Sequence, residues 1–65
     1  MFIYKNRKIK LIIEEDSVGF YLVVYKDLTS TKSNEDQLFD SLDEAFEEAK
    51  NRFGISKNEW QQLSS

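Results

Sequence analysis

The chain has 65 residues, a net charge of −3 and a pI of about 4.8, with 40% hydrophobic and 14% aromatic residues. It contains neither Cys nor His, which excludes disulfides, thiolate zinc sites, Cys nucleophiles and the commonest catalytic base. No apolar run approaches the roughly 20 residues of a membrane-spanning helix, and "MFIYKNRK" lacks the order of a signal peptide. We therefore expect a single cytoplasmic domain over residues 1–65, near the lower size limit for folding without staples.

The first sixteen residues, "MFIYKNRKIKLIIEED", predict a short strand, a tight turn and a longer strand. We place the strands at about 2–5 and 8–15, and the alternative is one continuous strand. Asn6 suits the turn because it tolerates the left-handed backbone conformation. The stretch "DSVG" predicts a second turn, in which Gly19 can adopt a positive φ without steric cost.

A third strand is predicted at "FYLVVYK", Phe20–Lys26, because aromatic and β-branched residues are favoured in strands. The stretch "DLTSTKSN", residues 27–34, has turn-forming residues and no apolar periodicity, so it predicts the longest and most mobile loop. The stretch "EDQLFD" then predicts a short fourth strand at about 36–39.

A helix is predicted after Ser41, which forms a capping box with Glu44, and Gly54 is its predicted stop. Apolar residues recur along one side of this helix. They are Leu42, Ala45, Phe46, Ala49 and Phe53.

A second capping box, Ser56 with Glu59, predicts a short C-terminal helical turn that returns Ile55, Trp60 and Leu63 to an end of the core. The order β-β-β-(β)-α predicts an α+β fold. In it, a small antiparallel sheet of three to four strands carries one amphipathic helix on one face.

Apolar side chains fall on both faces of the predicted sheet, because side chains alternate along a strand. One set should meet the helix: Ile9, Leu11, Ile13, Phe20, Leu22 and Val24. The other set forms the outer face: Lys8, Lys10, Ile12, Tyr21, Val23 and Tyr25. Tyr4 joins this face or not, according to how residues 2–15 pair.

The outer face is less polar than a solvated antiparallel sheet normally is, which indicates an interaction surface. Three interpretations stay open. The face could belong to a well-built sheet without a partner, it could bind a protein or a second copy, or it could bind single-stranded nucleic acid. The last would combine tyrosine stacking with the cations of residues 1–10, although a pI of about 4.8 argues against it.

Charge is separated along the chain. Residues 1–10 hold four cations and no acid, whereas residues 35–48 hold seven acids and no cation. A second candidate surface is therefore acidic: Asp40, Asp43, Glu44, Glu47 and Glu48. Such a surface could dock on a basic protein through charge complementarity, and the plainer interpretation is a solvated, well-capped helix.

No catalytic constellation is recognisable. Two Gly cannot build a glycine-rich phosphate loop, and the acidic stretch lacks the arrangement of a calcium loop. Ser41 and Ser56 fit helix caps better than nucleophiles, because no base accompanies them. We expect no enzyme activity, no cofactor, no metal and no small-molecule substrate.

The stretch "IIEEDSVGFYLVVYKDL", followed by "SLDEAFEEAK", resembles in pattern the small partial-RNase-H-like domain of HicB-like antitoxins. The matching positions lie within about residues 9–53. They are Glu14, Glu15, Asp16, Gly19, Phe20, Tyr21, Glu44 and Ala45. The family's Pro-Gly segment after the third strand is missing, and so is its separate DNA-binding region. The resemblance implies a small protein that neutralises a partner.

The sequence thus predicts a small non-enzymatic interaction domain of a bacterial or phage type. It would bind a protein or itself through the outer face, as an acidic inhibitor, an antitoxin-like protein or a regulator. The alternative is single-stranded nucleic-acid binding by the same face and the basic N-terminal strand.

Overall fold

The computed structural model describes residues 1–26, 33 and 35–63, and these residues form a five-stranded antiparallel sheet and one α-helix. The elements in chain order are β1 (Phe2–Lys5), β2 (Lys10–Asp16), β3 (Gly19–Tyr25), β4 (Glu35–Phe39), α1 (Leu42–Phe53), a 3₁₀ turn (Lys57–Glu59) and β5 (Gln61–Gln62). The spatial order of the strands is β4-β3-β2-β1-β5. The α+β class is confirmed. The predicted strand count of three to four is wrong, because Gln61 and Gln62 add a fifth strand.

The β1–β2 connection is a hairpin, with Phe2 opposite Ile13 and Lys5 opposite Lys10. Asn6 closes it with its side chain: Asn6 Oδ1 accepts the backbone N–H groups of Lys8 at 2.7 Å and of Ile9 at 2.9 Å. No described residue other than glycine has a positive φ. Asn6 therefore makes the turn by side-chain capping of the backbone and not by the left-handed conformation we expected.

Gly19 begins β3 with a φ of 151°. A Cβ atom at this position would lie against the carbonyl oxygen of Phe39 and 3.2 Å from Cδ1 of Leu38. Glycine is thus required both by the backbone conformation and by the close approach of β4. The predicted loop at 27–34 lies outside the described residues apart from Ser33.

Helix α1 begins and ends where its capping residues predict. The side chain of Ser41 accepts a hydrogen bond from the N–H of Glu44 at 3.2 Å. At the other end, Gly54 adopts φ 71°, and its N–H donates to the carbonyl of Lys50 at 2.9 Å. Within the described part of the chain, no helix is long and apolar enough to cross a membrane.

The core lies between α1 and one face of the sheet, here called the helix face. The strands contribute Leu11, Ile13, Leu22 and Val24, each exposed by 1% or less. Helix α1 contributes Ala45, Phe46 and Ala49. The predicted inward side chains are therefore confirmed, and Ile9 and Phe20 pack against this core from its margin.

The C-terminal segment closes one side of the core with aromatic contacts. Trp60 lies with its ring centroid 5.7 Å from Phe46 and 6.2 Å from Tyr4. Ile55 and Trp60 are buried as expected, whereas Leu63 remains 37% exposed. Leu63 instead anchors the backbone, since its N–H donates to the carbonyl of Met1 at 2.8 Å beside β5.

Candidate interaction face

The sheet face opposite α1 is described best by its cross-strand rows, because directly opposite residues of antiparallel strands share a face. One row crosses the middle of the sheet through Ile3, Ile12 and Val23, and ends at Asp36 of β4. A second row joins Lys5, Lys10 and Tyr25. A third joins Glu14, Tyr21 and Leu38. We call this surface the open face, and the three rows the apolar row, the cationic row and the acidic row.

The apolar row is only half-buried. Ile3, Ile12 and Val23 are each of intermediate exposure, in contrast to the fully buried residues next to them along the strands. Helix α1 and the Trp60 segment both pack on the helix face. Among the described residues, no element is left to cover the apolar row. Three neighbouring aliphatic side chains without cover are unusual on a solvated sheet.

The cationic row brings two like charges together. Lys5 and Lys10 stand directly opposite each other in the β1–β2 pairing. Like charges at such positions, with Cβ atoms about 5 Å apart, are destabilising. The repulsion on Lys10 is partly compensated by a cation–π contact, because its Nζ lies 4.5 Å from the centroid of the Tyr25 ring. The β1–β2 turn adds Arg7 and Lys8 at the same end of the sheet.

The acidic row lies at the opposite end of the open face. Along β2 the outward residues are Lys10, Ile12, Glu14 and Asp16, which run from positive through apolar to negative. Leu38 is the most exposed apolar group of this row, at 44%. The open face thus has an aliphatic centre with opposite charges at its two ends.

The structure brings together most of the residues predicted for this face. Lys10, Ile12, Tyr21, Val23 and Tyr25 share it. Lys8 lies in the turn before β2 and reaches the face only at its end.

Ile3 and Leu38 belong to the open face although neither is among the residues predicted for it from the sequence. Tyr4 packs on the helix face against Trp60. The hairpin register settles both β1 positions, since Ile3 pairs with Ile12 and Tyr4 with Leu11. A firm prediction of the Asn6 turn would have revealed this alternation.

The predicted acidic surface is partly paired with cations. Asp43 lies 3.7 Å from Nζ of Lys57, and Glu48 lies 3.8 Å from Nε of Arg52. Asp43 and Glu44 occupy the first turn of α1, where carboxylates stabilise the helix dipole. Asp40 precedes the helix, and Asp40, Asp43, Glu44 and Glu47 are exposed while Glu48 is half-buried.

A further ion-pair cluster joins β4 to α1 on the helix-face side. Glu35 accepts from the Arg52 guanidinium at 2.9 Å with both carboxylate oxygens, and Nζ of Lys26 lies 3.1 Å away. The hydrogen bond from Lys26, followed by that from Arg52, lowers the pKa of Glu35 below its ordinary value of 4.5. About a third of the Glu35 side chain is exposed, so solvent screens this cluster.

A concave site lies between α1 and the 3₁₀ turn. It is a cavity of about 430 Å³ lined by Asp43, Phe46, Glu47, Lys50, Ser56 and Lys57. The Asp43 side chain is 88% exposed, so water solvates its carboxylate. Carboxylates act as acid and base when a water-excluding pocket separates their pKa values, and this site offers no such shielding for Asp43. Among residues 1–26, 33 and 35–63, no group of three acidic side chains is placed to hold a metal ion.

Comparison with known proteins found no matching family model, no matching curated protein and no matching solved structure.

Proposed function

We propose that this protein is a non-enzymatic interaction domain that binds a protein through its open face. The observation that carries the proposal is the apolar row. Ile3, Ile12 and Val23 form a continuous aliphatic strip that no described element covers. Burying such a strip on a partner contributes about 25 cal/mol for each Å² of apolar surface removed from water.

The charges around the strip support a protein as the partner. An aliphatic centre with a charged rim is the usual anatomy of a protein-protein interface, in which the rim selects the partner and raises the association rate. Three further statements remain predictions from the sequence: a cytoplasmic location, an inhibitor-like or regulatory role, and a bacterial or phage origin. The acidic surface of α1 is a less favoured site, because Lys57 and Arg52 already pair with two of its carboxylates.

The proposal is tested with a variant that makes the open face polar while keeping its strands. Tyr21→Thr combined with Val23→Thr removes apolar surface, and threonine is itself favoured in strands. The matched control is Glu44→Gln with Glu47→Gln on α1, which changes two exposed side chains outside the face.

The measurement is affinity capture from the source cell, followed by titration calorimetry with the purified captured protein. We expect the parent and the control to bind equally, and the open-face variant to bind at least tenfold more weakly with unchanged circular dichroism. A partner that binds the open-face variant as tightly as the parent would exclude this face as the site.

Single-stranded nucleic acid is the second candidate, and the cationic row is what favours it. Lys10 lies opposite Tyr25 and Lys5 lies one strand beyond Lys10, which places phosphate-binding charge beside a base-stacking ring. The aliphatic centre offers no ring for stacking, however, and Tyr4 is turned toward Trp60. Titration against short oligonucleotides at low salt decides the matter: binding that weakens steeply with added salt would favour nucleic acid.

A further inference from the structure

The distribution of charge on the open face is complementary to itself, and we infer that the occupant of this face is a second copy of the chain. The inference rests on the proposed function, which requires only that the face binds a protein. It adds the partner and the geometry. Two sheets pack face to face, and the two-fold axis lies between them, perpendicular to the strands and along the apolar row.

A two-fold axis in this direction reverses the strands of one copy relative to those of the other. Ile3, Ile12 and Val23 lie on the axis, so each of them faces the same residue of the second copy. The same holds for Asp36 at the β4 end of the row, where the two carboxylates repel each other at the exposed edge of the sheet. Residues on one face of a strand repeat every two positions, about 6.8 Å apart. Lys10 and Glu14 lie one such step on either side of Ile12. Lys10 of each copy therefore stands opposite Glu14 of the other, and this contact occurs twice.

The tyrosines follow the same symmetry. Tyr21 and Tyr25 lie one step on either side of Val23 along β3. Across the axis, Tyr21 of one copy meets Tyr25 of the other. Aromatic pairs of this kind favour offset or edge-to-face contacts. An axis parallel to the strands would instead place the cationic row of one copy on the cationic row of the other. Lys10 would then face Lys10, Lys5 or Tyr25, and never Glu14.

The size of the face sets the strength of the association. Strands β1 to β4 hold four, seven, seven and five residues. With a rise of ~3.4 Å per residue and a strand spacing of ~4.8 Å, they give a footprint of roughly 380 Å² per copy. Two copies would then bury roughly 750 Å² in total, below the ~1,000 Å² that a stable interface exceeds. We expect a weak dimer that forms with rising concentration, with aligned sheets about 10 Å apart.

The test exchanges charge at one end of the face in each of two variants. Lys10→Glu gives a chain with two acidic ends, and Glu14→Lys gives a chain with two basic ends. Each variant alone brings like charges together twice per dimer, so we expect its dimer dissociation constant to rise at least tenfold. An equimolar mixture of the two restores both attractions, and we expect it to associate at least as well as the parent. Sedimentation equilibrium from micromolar to millimolar concentration measures all three samples.

Two controls separate this geometry from a general charge effect. Lys50→Glu and Glu47→Lys make the same charge changes on exposed positions of α1, and neither they nor their mixture should alter the dimer. Circular dichroism checks that every variant is folded. If a charge-reversed variant does not fold, the double variant Lys10→Gln with Glu14→Gln is measured in its place. The neutral pair removes both attractions, so we expect a weaker dimer that is insensitive to salt.

The outcomes distinguish this inference from the proposed function. A parent that stays monomeric at millimolar concentration overturns the inference, as does a parent dimer that the mixture fails to reproduce. Another outcome is a monomeric parent that binds a captured protein, together with a variant Tyr21→Thr with Val23→Thr that no longer binds it. The open face then binds a protein other than a second copy of the chain. If neither association is found, the proposed function falls as well.

Discussion

The two faces of this sheet are built from similar side chains and differ in what covers them. On the helix face, Leu11 and Ile13 are sealed by α1 and by Trp60. On the open face, Ile12 lies between those two residues along the same strand and is only half-buried. A strand with apolar side chains on both faces therefore contributes to the core on one side and to an open surface on the other. The position of the helix decides which side chains become the core.

The difference shows that hydrophobicity alone does not define the core of a small domain. Charge separates the two faces more clearly. The ion pairs of Glu35 close the margin of the helix face with opposite charges in contact. The open face keeps Lys5 and Lys10 together at one end and Glu14 at the other. Within the described part of the chain, Lys5, Lys10 and Glu14 form no ion pair, which suits them to pairing with charges of a second molecule.

The largest expected effect comes from truncating neighbouring isoleucines on opposite faces. Ile13→Ala should lower the free energy of unfolding by about 3 kcal/mol, since it opens a cavity in the core. Ile12→Ala should cost about 1 kcal/mol, because that side chain is only partly buried. Urea denaturation followed by circular dichroism at low protein concentration measures both.

The same pair also tests how far the open face is covered at high concentration. The cost of Ile12→Ala should grow with protein concentration if a second copy buries this residue, whereas that of Ile13→Ala should not. Equal costs for the two substitutions in dilute solution would mean that the open face is as well covered within one chain as the helix face.

The next largest effect concerns the two glycines. Gly19→Ala should lower the free energy of unfolding by about 2 kcal/mol, because the added Cβ meets the Phe39 carbonyl and the backbone has a positive φ. Gly54→Ala is the matched control, with a positive φ but no atom within 4 Å of the added Cβ. It should cost about 1 kcal/mol. Equal losses would show that backbone conformation alone, and not the approach of β4, requires Gly19.

A smaller effect is expected at the margin of the helix face. Glu35→Gln should lower the thermal midpoint near neutral pH by breaking contacts with Lys26 and Arg52. Because the folded protein lowers the pKa of Glu35, its carboxylate contributes stability above the ordinary value of 4.5. That contribution is lost as the pH falls below 4.5 through the folded pKa.

Thermal midpoints of the parent and the variant should therefore converge with acidification. Glu47→Gln, an exposed change on α1, gives the baseline for neutralising one carboxylate. A gap between the parent and Glu35→Gln that persists well below pH 4.5 would assign the effect to something other than this carboxylate.

The smallest effect has the opposite sign and belongs to the open face. Lys5→Gln should raise the free energy of unfolding by about 0.3 kcal/mol in dilute solution, because it relieves the repulsion with Lys10. Lys26→Gln, which removes a partner of Glu35, should lower it. Both differences are measured by urea denaturation at low salt, and a destabilising Lys5→Gln would mean that the cationic row is not strained.

Much of this architecture follows from local signals in the sequence. Ser41 and Gly54 fix the ends of α1, because capping depends on the side chain or backbone freedom of a single residue. The alternation of side chains between the two faces of β2 and β3 identifies the strand residues of the core. What escaped prediction depends on pairing between distant segments. Gln61 and Gln62 carry no strand pattern of their own and become a strand only because β1 presents an edge to them.

Two residues of the open face escaped prediction for a related reason. Ile3 reaches it only through the register of the first hairpin, which Asn6 sets with side-chain hydrogen bonds. Leu38 reaches it through the pairing of β4 with Tyr21. Hydrophobicity identified the strands, but register assigned their residues to faces.

The pairing of β1 with β5 has a consequence for the order of folding. It joins Phe2 to Gln62 and thereby closes almost the whole chain, whereas the β2–β3 hairpin pairs residues close in sequence. Since closing a long loop costs more entropy, the hairpin should form early and β5 should dock last and open first. Trp60, the single tryptophan, lies directly before β5 and against Tyr4 of β1. Its fluorescence should therefore report the final step of folding and the first step of unfolding, and remain insensitive to association on the opposite face.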